Sequence, residues 1–346
     1  MKSGITLEFL YEYGLFLAKA ITIVVAITLT VGLVVAAASK GKSHKKGELL
    51  VENISEQIED EIHYVQRSML EKSELKDFDK ALKKEQKQKD KSKDSVKSKL
   101  FVLSFDGDIH ANAVDSLREE VSAVVSVAKP DDQVLIKLES PGGVVHGYGL
   151  AASQIARLRD AEINTTVAVD KVAASGGYMM ACVANKIISA PFAIIGSIGV
   201  VAQLPNINKL LKKNDIEIEQ HTAGDYKRTL TVLGENTKEG REKFKQELED
   251  THVLFKGFVT DYRPELDIEK VATGEHWYGK QALDLKLVDE IQTSDDYILN
   301  ALNKHTLYKV EYKIKQNLAE KFGFMAAAGV TSVFEKLSTW SLTSTK

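Results

Sequence analysis

Cysteine is almost absent from this 346-residue chain: Cys182 is the only one. No intrachain disulfide can form, so the sequence carries no mark of an oxidising compartment. Cys182 is expected to be a small buried residue and not a reactive thiol. Histidine is sparse. Its eight copies are scattered without ligand spacing, which argues against a zinc site. Neither a metal nor an organic cofactor is expected. Net charge is also nearly absent: 46 basic and 49 acidic side chains leave −3. That removes the global electrostatic case for nucleic acid as a partner. Apolar residues make up 44% of the chain, enough for a full core, and the length allows more than one domain.

What the chain does have is one long uncharged run. Ala20–Ala38 spans about 19 residues, against the roughly 20 that cross a bilayer. A cleaved signal peptide fits poorly, because Met1–Phe16 carries Glu8 and Glu12 and only Lys2 as a base. The run is read as an uncleaved transmembrane anchor. Lys40, Lys42, Lys45 and Lys46 follow it, so the positive-inside rule puts the C-terminal side in the cytoplasm. Ile187–Val201 is apolar too, but Pro191, Gly196, Ser197 and Gly199 interrupt it. It reads as strand, turn, strand. Phe322–Val333 is too short to span and reads as an amphipathic or interface helix.

Gly47–Val96 is polar and charged, a solvated helix or a disordered tether. Beyond it strands and helices alternate. Strands are expected at Leu100–Phe105, Val134–Leu138, Thr165–Val169, Lys186–Ser189, Val200–Leu204 and Glu217–Gln220. Helices are expected at Asn112–Ala128, Val145–Arg159, Gly177–Ala184, Asn206–Lys213 and Lys238–Tyr262. This alternation predicts α/β architecture with a largely parallel sheet.

Two glycine turns stand out. Ser175 lies between a strand run and a helix run and is followed by Gly176 and Gly177. A serine there presents its hydroxyl where backbone N–H groups gather, and the glycines admit a substrate backbone. One βα unit earlier, Ser140-Pro141-Gly142-Gly143 forms a matching turn. Alone it is an ordinary connection. Paired with the serine turn, it places the Gly143 amide where a developing oxyanion would need a donor, at the carboxyl ends of parallel strands. No histidine follows Ser175 until His221, whereas Lys227 lies in the loop Gly224-Asp225-Tyr226-Lys227-Arg228. A free lysine is neutral about once in 2,500 molecules at pH 7, so a lysine base needs burial. His146 is read as lining the cleft or capping a helix, Asp170 as a strand-end ion pair, and Tyr148, Met179 and Met180 as packing.

The ordered set Glu139-Ser140-Pro141-Gly142-Gly143, Ala174-Ser175-Gly176-Gly177-Tyr178, Gly196-Ser197-Ile198-Gly199-Val200 and Asp225-Tyr226-Lys227-Arg228 resembles the signal peptide peptidase A family of serine peptidases. The resemblance covers nearly the whole chain. It implies a ClpP/crotonase-like fold behind an N-terminal transmembrane anchor, and a Ser/Lys dyad. Ser175 would be the nucleophile and Lys227 the general base and acid. Ser197 would orient the lysine amine, and Gly143 and Gly176 would donate to the oxyanion. One departure is Lys286-Leu287-Val288-Asp289, where the family tends to have Gly-Leu-Val-Asp. A glycine there would permit positive φ.

The resemblance also implies peptide substrates, such as signal-peptide remnants or unfolded polypeptides, a homo-oligomer, and the bacterial inner membrane as location. Relatives work on the periplasmic side, which conflicts with the lysines after the anchor. The expected domains are an anchor (residues 1–40), a charged linker (41–98), a peptidase domain (99–293) and a C-terminal extension (294–346). Two rivals are a crotonase-like acyl-CoA enzyme, which needs no nucleophilic serine, and a non-proteolytic membrane scaffold.

Overall fold

The structure, a computed structural model, describes residues 11–28, 47–91 and 97–314. In chain order these form α1 (Tyr11–Thr28), β1 (Gly47–Asn53), α2 (Ile54–Ser68), α3 (Leu75–Lys91), β2 (Ser98–Asp106), α4 (Val114–Val127), β3 (Gln133–Glu139), α5 (Val145–Asp160), β4 (Asn164–Val169), β5 (Val172–Ala174), α6 (Gly176–Ala181), β6 (Lys186–Ser189) and β7 (Ile194–Gly196). There follow α7 (Asn208–Lys213), α8 (Lys238–Tyr262), α9 (Ile268–Val271), β8 (His276–Tyr278), α10 (Gly279–Asp284), β9 (Glu290–Ile291), α11 (Ser294–Ala301) and β10 (His305–Ile314). The chain divides into two units, Met1–Glu48 with Ile314–Lys346, and Leu49–Lys313. The second holds all the motifs.

The central strands are apolar on both faces. Leu100, Phe101, Val102, Leu103 and Phe105 of β2 are all buried, as are Val134, Leu135, Ile136 and Leu138 of β3. Such runs belong in a parallel sheet covered on both sides. The sheet has seven strands in the order β1-β10-β2-β3-β4-β6-β9, and each neighbouring pair from β10 to β9 is parallel. Helix α4 buries Val114, Leu117, Val121 and Val124, one stripe at helical spacing. Helix α5 buries Gly147, Ala151 and Ala152 as well as Tyr148, Ile155 and Leu158. Small residues on this face let α5 pack closely on α6.

A second sheet decides where the chemistry sits. After β4 the chain turns at Asp170-Lys171 and enters β5, which pairs in parallel with β7, itself antiparallel to β8. The chain leaving β3 joins this edge through a bridge from Ser140 to Ala173. Each pass therefore runs through the large sheet and then the small one, as in β4-β5-α6 and β6-β7, which is the winding of the ClpP/crotonase fold.

Most expected elements appear within a residue or two of their predicted limits, and β6 and α8 match theirs. Val200–Leu204 and Glu217–Gln220 do not form strands. Val201 is 91% exposed, and neither segment has a ladder partner to satisfy its backbone. The charged region carries β1 and two solvated helices. Asn53 caps α2 by accepting from the Ser55 amide, Arg67 pairs with Asp79 across to α3, and no residue of α2 is buried. The late strand β10 lies between β1 and β2, so the large sheet takes in segments expected to be linker and extension. Helix α1 is apolar enough to cross a membrane, with mean hydropathy 1.4 and none of it buried. It overlaps the expected span at Ala20–Thr28. Residues 29–38 of that span, and Phe322–Val333, lie outside the described residues.

Candidate active site

Ser175 occupies the residue between β5 and α6 with φ 53° and ψ −118°, a left-handed backbone that costs an L-residue about 1–2 kcal/mol. Strain of this kind persists only where surrounding structure holds it, and here the holding groups are visible. The Ser175 amide donates to Gly196 O at 2.8 Å, and Met179 N–H donates to Ser175 O at 3.0 Å. The hydroxyl makes no cap bond to α6 and faces a cleft of about 250 Å³.

The glycine turn packs directly onto this elbow. Gly142 has φ +85°, and a Cβ there would lie 2.7 Å from Ala174 O and from Gly176 N, and 2.8 Å from Ser175 Cβ. No side chain fits. A Cβ on Gly143 would overlap Ile109 O. Ser140 N–H donates to Val172 O at 2.8 Å, and Ala174 N–H donates to Ser140 O at 3.0 Å, so the two turns are stitched by backbone bonds. Among the described residues the amides of Gly143 and Gly176 have no acceptor. Both residues line the cleft with Ser175. Two idle donors beside a serine hydroxyl are what acyl transfer needs to hold an oxyanion.

The rest of the cleft wall is apolar: Val145, Met179, Val201, Leu254, Phe255 and Phe258 supply most of it. Tyr148 lines it as well, so this residue and Met179 are more than packing, while Met180 is fully buried in the core. His146 is exposed and outside the lining residues, so it neither borders the cleft nor caps a helix through its side chain. Among the described residues Asp170 makes no strand-end ion pair. Its carboxylate accepts from Ser294 N–H at 2.8 Å and Ser294 Oγ–H at 2.6 Å, at the start of α11. Lys171 pairs instead with Glu139. Cys182 is buried, its Sγ–H donating to Met179 O at 3.3 Å, and desolvation pushes its thiol well up.

Ser197 shares the positive φ of Ser175, at 51°, and its amide donates to Glu275 O at 2.7 Å. Lys227 is different. It is exposed in an irregular loop, held by a 3.2 Å bond from its amide to Gly224 O. Its ammonium contacts neither serine. Ser175, Ser197, Gly143 and Gly176 are thus gathered by the two sheets, and Lys227 is not. Sequence reasoning gave Gly142 no role of its own and took Tyr148 as packing; the signal for Gly142 was its place directly before Gly143 in the motif.

A strained serine elbow beside idle amides, on a ClpP/crotonase-type α/β frame, fits the class of serine hydrolases. The chain belongs to peptidase family S49. Residues 8–155 match the family's N-terminal model and residues 157–307 match its peptidase model. Over 96% of its length it is 50% identical to the probable protease SohB of Haemophilus influenzae, covering 97% of that protein. It is 51% identical to the probable protease SohB of Buchnera aphidicola subsp. Schlechtendalia chinensis, over 85% of this chain and all of that one. Among solved structures, a mutant of a membrane-bound stomatin-specific protease with a substrate peptide aligns over 67% of this chain and 100% of its own, at 11% identity and TM-score 0.41. The family makes this chain a SohB-type serine peptidase and sets aside the acyl-CoA and scaffold readings.

Proposed function

We propose that the chain is a membrane-anchored endopeptidase with Ser175 as nucleophile and Lys227 as general base and acid. The observation that carries this is the left-handed Ser175 elbow packed against Gly142, with the Gly143 and Gly176 amides idle beside it. Lys227 Nζ takes the Ser175 Oγ proton as Oγ bonds to the peptide carbonyl carbon. The two amides hold the oxyanion. As the C–N bond breaks, the ammonium returns the proton to the leaving amine, and water then releases the acyl group by the same steps. Ser197 orients the lysine amine.

A base role asks for a neutral, buried amine, while Lys227 is exposed in the single chain. The surrounding segment exposes Val201, Leu204, Leu210, Ile216, Tyr226 and Leu233. Apolar side chains in such number on a surface support a homo-oligomer in which a second copy covers this loop. The apolar cleft supports cleavage beside an apolar residue, as in signal-peptide remnants or unfolded membrane-associated polypeptides. Helix α1 supports anchoring in the bacterial inner membrane.

The test is labelling of solubilised full chain by a fluorophosphonate probe across a pH series. Wild type should label, and Ser175→Ala and Lys227→Ala should not. Labelling that survives Ser175→Ala would overturn the assignment. Labelling that survives Lys227→Ala with an unchanged pH profile would remove the lysine from it.

A further inference from the structure

Tyr148 sits where both halves of the proposed oxyanion hole meet. It is fully buried on the first turns of α5. Its ring lies against Gly176: a Cβ on that glycine would overlap Cγ of the ring. Its hydroxyl reaches the other turn. Tyr148 Oη is 2.6 Å from Ser140 Oγ, and it donates to Asp108 O at 2.8 Å. Ser140 is itself fully buried, and its Oγ accepts the Gly142 N–H at 3.1 Å.

These bonds have one consistent direction. A phenol has a single hydrogen, and Asp108 O, a carbonyl, can only accept it. Ser140 must therefore donate to Tyr148. The relay runs from Gly142 N–H to Ser140 Oγ, from Ser140 Oγ–H to Tyr148 Oη, and from Tyr148 Oη–H to Asp108 O. Each hydroxyl accepts once and donates once, so each bond polarises the next. Burial pushes the Tyr148 phenol above its ordinary value, which keeps the last proton in place. Gly107 leaves room for the arrangement: a Cβ there would collide with both the Ser140 and the Tyr148 hydroxyls.

We infer that Tyr148 is a positioning residue for the oxyanion hole, its ring fixing Gly176 and its hydroxyl, through Ser140, fixing the Gly142-Gly143 turn. The two amides come from separate turns, and Tyr148 packs its ring against Gly176 in one and reaches the Gly142 amide, one residue before Gly143, through the Ser140 hydroxyl in the other. The distance between the donors follows from how this residue is held. The inference rests on the proposed roles of Ser175, Gly143 and Gly176.

The experiment compares full-length wild type, Ser175→Ala, Tyr148→Phe, Ser140→Ala and the Tyr148→Phe/Ser140→Ala double variant. The readouts are hydrolysis of a fluorogenic peptide with an apolar residue before the cleaved bond, and thermal melting. Tyr148→Phe keeps the ring and breaks the relay. It should lower kcat about 10-fold with KM unchanged, less than the roughly 10²–10³ of a deleted donor. Ser140→Ala should do the same, and the double variant should lose no more than the worse single, because one relay is broken once. Unchanged kcat in a folded Tyr148→Phe, a change confined to KM, or additive losses would overturn the inference. If Tyr148→Phe fails to fold, Ser140→Ala decides alone on the same kcat criterion. Hydrolysis that persists in Ser175→Ala would instead sink the underlying site assignment.

Discussion

Ser175 donates its backbone N–H to the carbonyl oxygen of Gly196, the residue before Ser197, at 2.8 Å. The bond continues the parallel pairing of β5 with β7, in which Ala174 stands opposite Gly196. Each strand then ends in a serine with left-handed φ, 53° at Ser175 and 51° at Ser197. The two serines thus stand at the paired ends of one small ladder.

The conformation of Ser175 predicts a trade of stability against function. Ser175→Gly relieves the left-handed strain at the cost of a more flexible unfolded chain. It should abolish labelling by a fluorophosphonate while leaving the protein as stable as wild type or up to about 1 kcal/mol more so. Chemical denaturation measures the second part. A loss of stability would mean that the hydroxyl, and not the backbone, is what the surroundings hold.

Gly176→Ala tests the contact between the elbow and the Tyr148 ring. The new methyl group has nowhere to go, so one of the two must shift. Overpacking of this kind costs about 1–3 kcal/mol, and a displaced amide should cut kcat for a fluorogenic peptide by more than Tyr148→Phe does. Melting temperature and steady-state kinetics together check both halves.

Glu120 gives the fold a dependence on pH. It is buried on α4, where Oε1 accepts the Tyr312 N–H at 2.8 Å and Oε2 has no partner among the described residues. Desolvation, opposed by the Tyr312 bond and aided by Glu311, raises the carboxyl from 4.5 to about 7, with Lys309 pulling it down. A raised acid favours the folded state when protonated. Its contribution is therefore full below about 4.5 and lost as pH rises through about 7. Glu120→Gln should flatten the stability profile across that window and melt higher than wild type above it. Equal pH slopes in the two proteins would show that Glu120 is ionised throughout.

Lys286 stands where relatives of this family tend to have glycine, and its φ is +61°. The turn it makes is clamped: Arg263 donates to Lys286 O at 3.0 Å and to both oxygens of Asp289 at 2.9 and 2.7 Å. Lys286→Gly should be neutral or stabilising by up to about 1 kcal/mol. Because Tyr178 Oη donates to Leu287 O in the same turn, activity should be unchanged only if α6 is undisturbed. Denaturation and peptide hydrolysis together check this.

The sequence made most of the large sheet legible, because β2 and β3 carry long apolar runs and β4 and β6 shorter β-branched ones. It also made the serine elbow legible, since glycines after a strand have a local backbone reason. The small sheet was hidden. β5 and β7 have three residues each, too short for any periodicity, and their pairing is what sets Ser175 beside Ser197. Val200–Leu204 reads as a strand from its apolar residues, yet no neighbour offers a ladder. Tyr148 looked like core because its hydroxyl partners, Ser140 and Asp108 O, come from other parts of the chain. Lys227 was found only through its motif, and the single chain leaves it exposed.

The position of β10 has a consequence for when the enzyme can exist. Ser98 of β2 pairs with His305 of β10, and the two residues are 207 positions apart. A ribosome adding about 5–20 residues per second needs roughly 10–40 s to cover that distance. Ser175 is added before the last 130 of those positions (305 − 175), so for more than half of the interval it is already in the chain while β2 still lacks its outer neighbour. A nascent chain therefore carries Ser175 well before the large sheet is closed, and the finished fold must wait until β10 has been made.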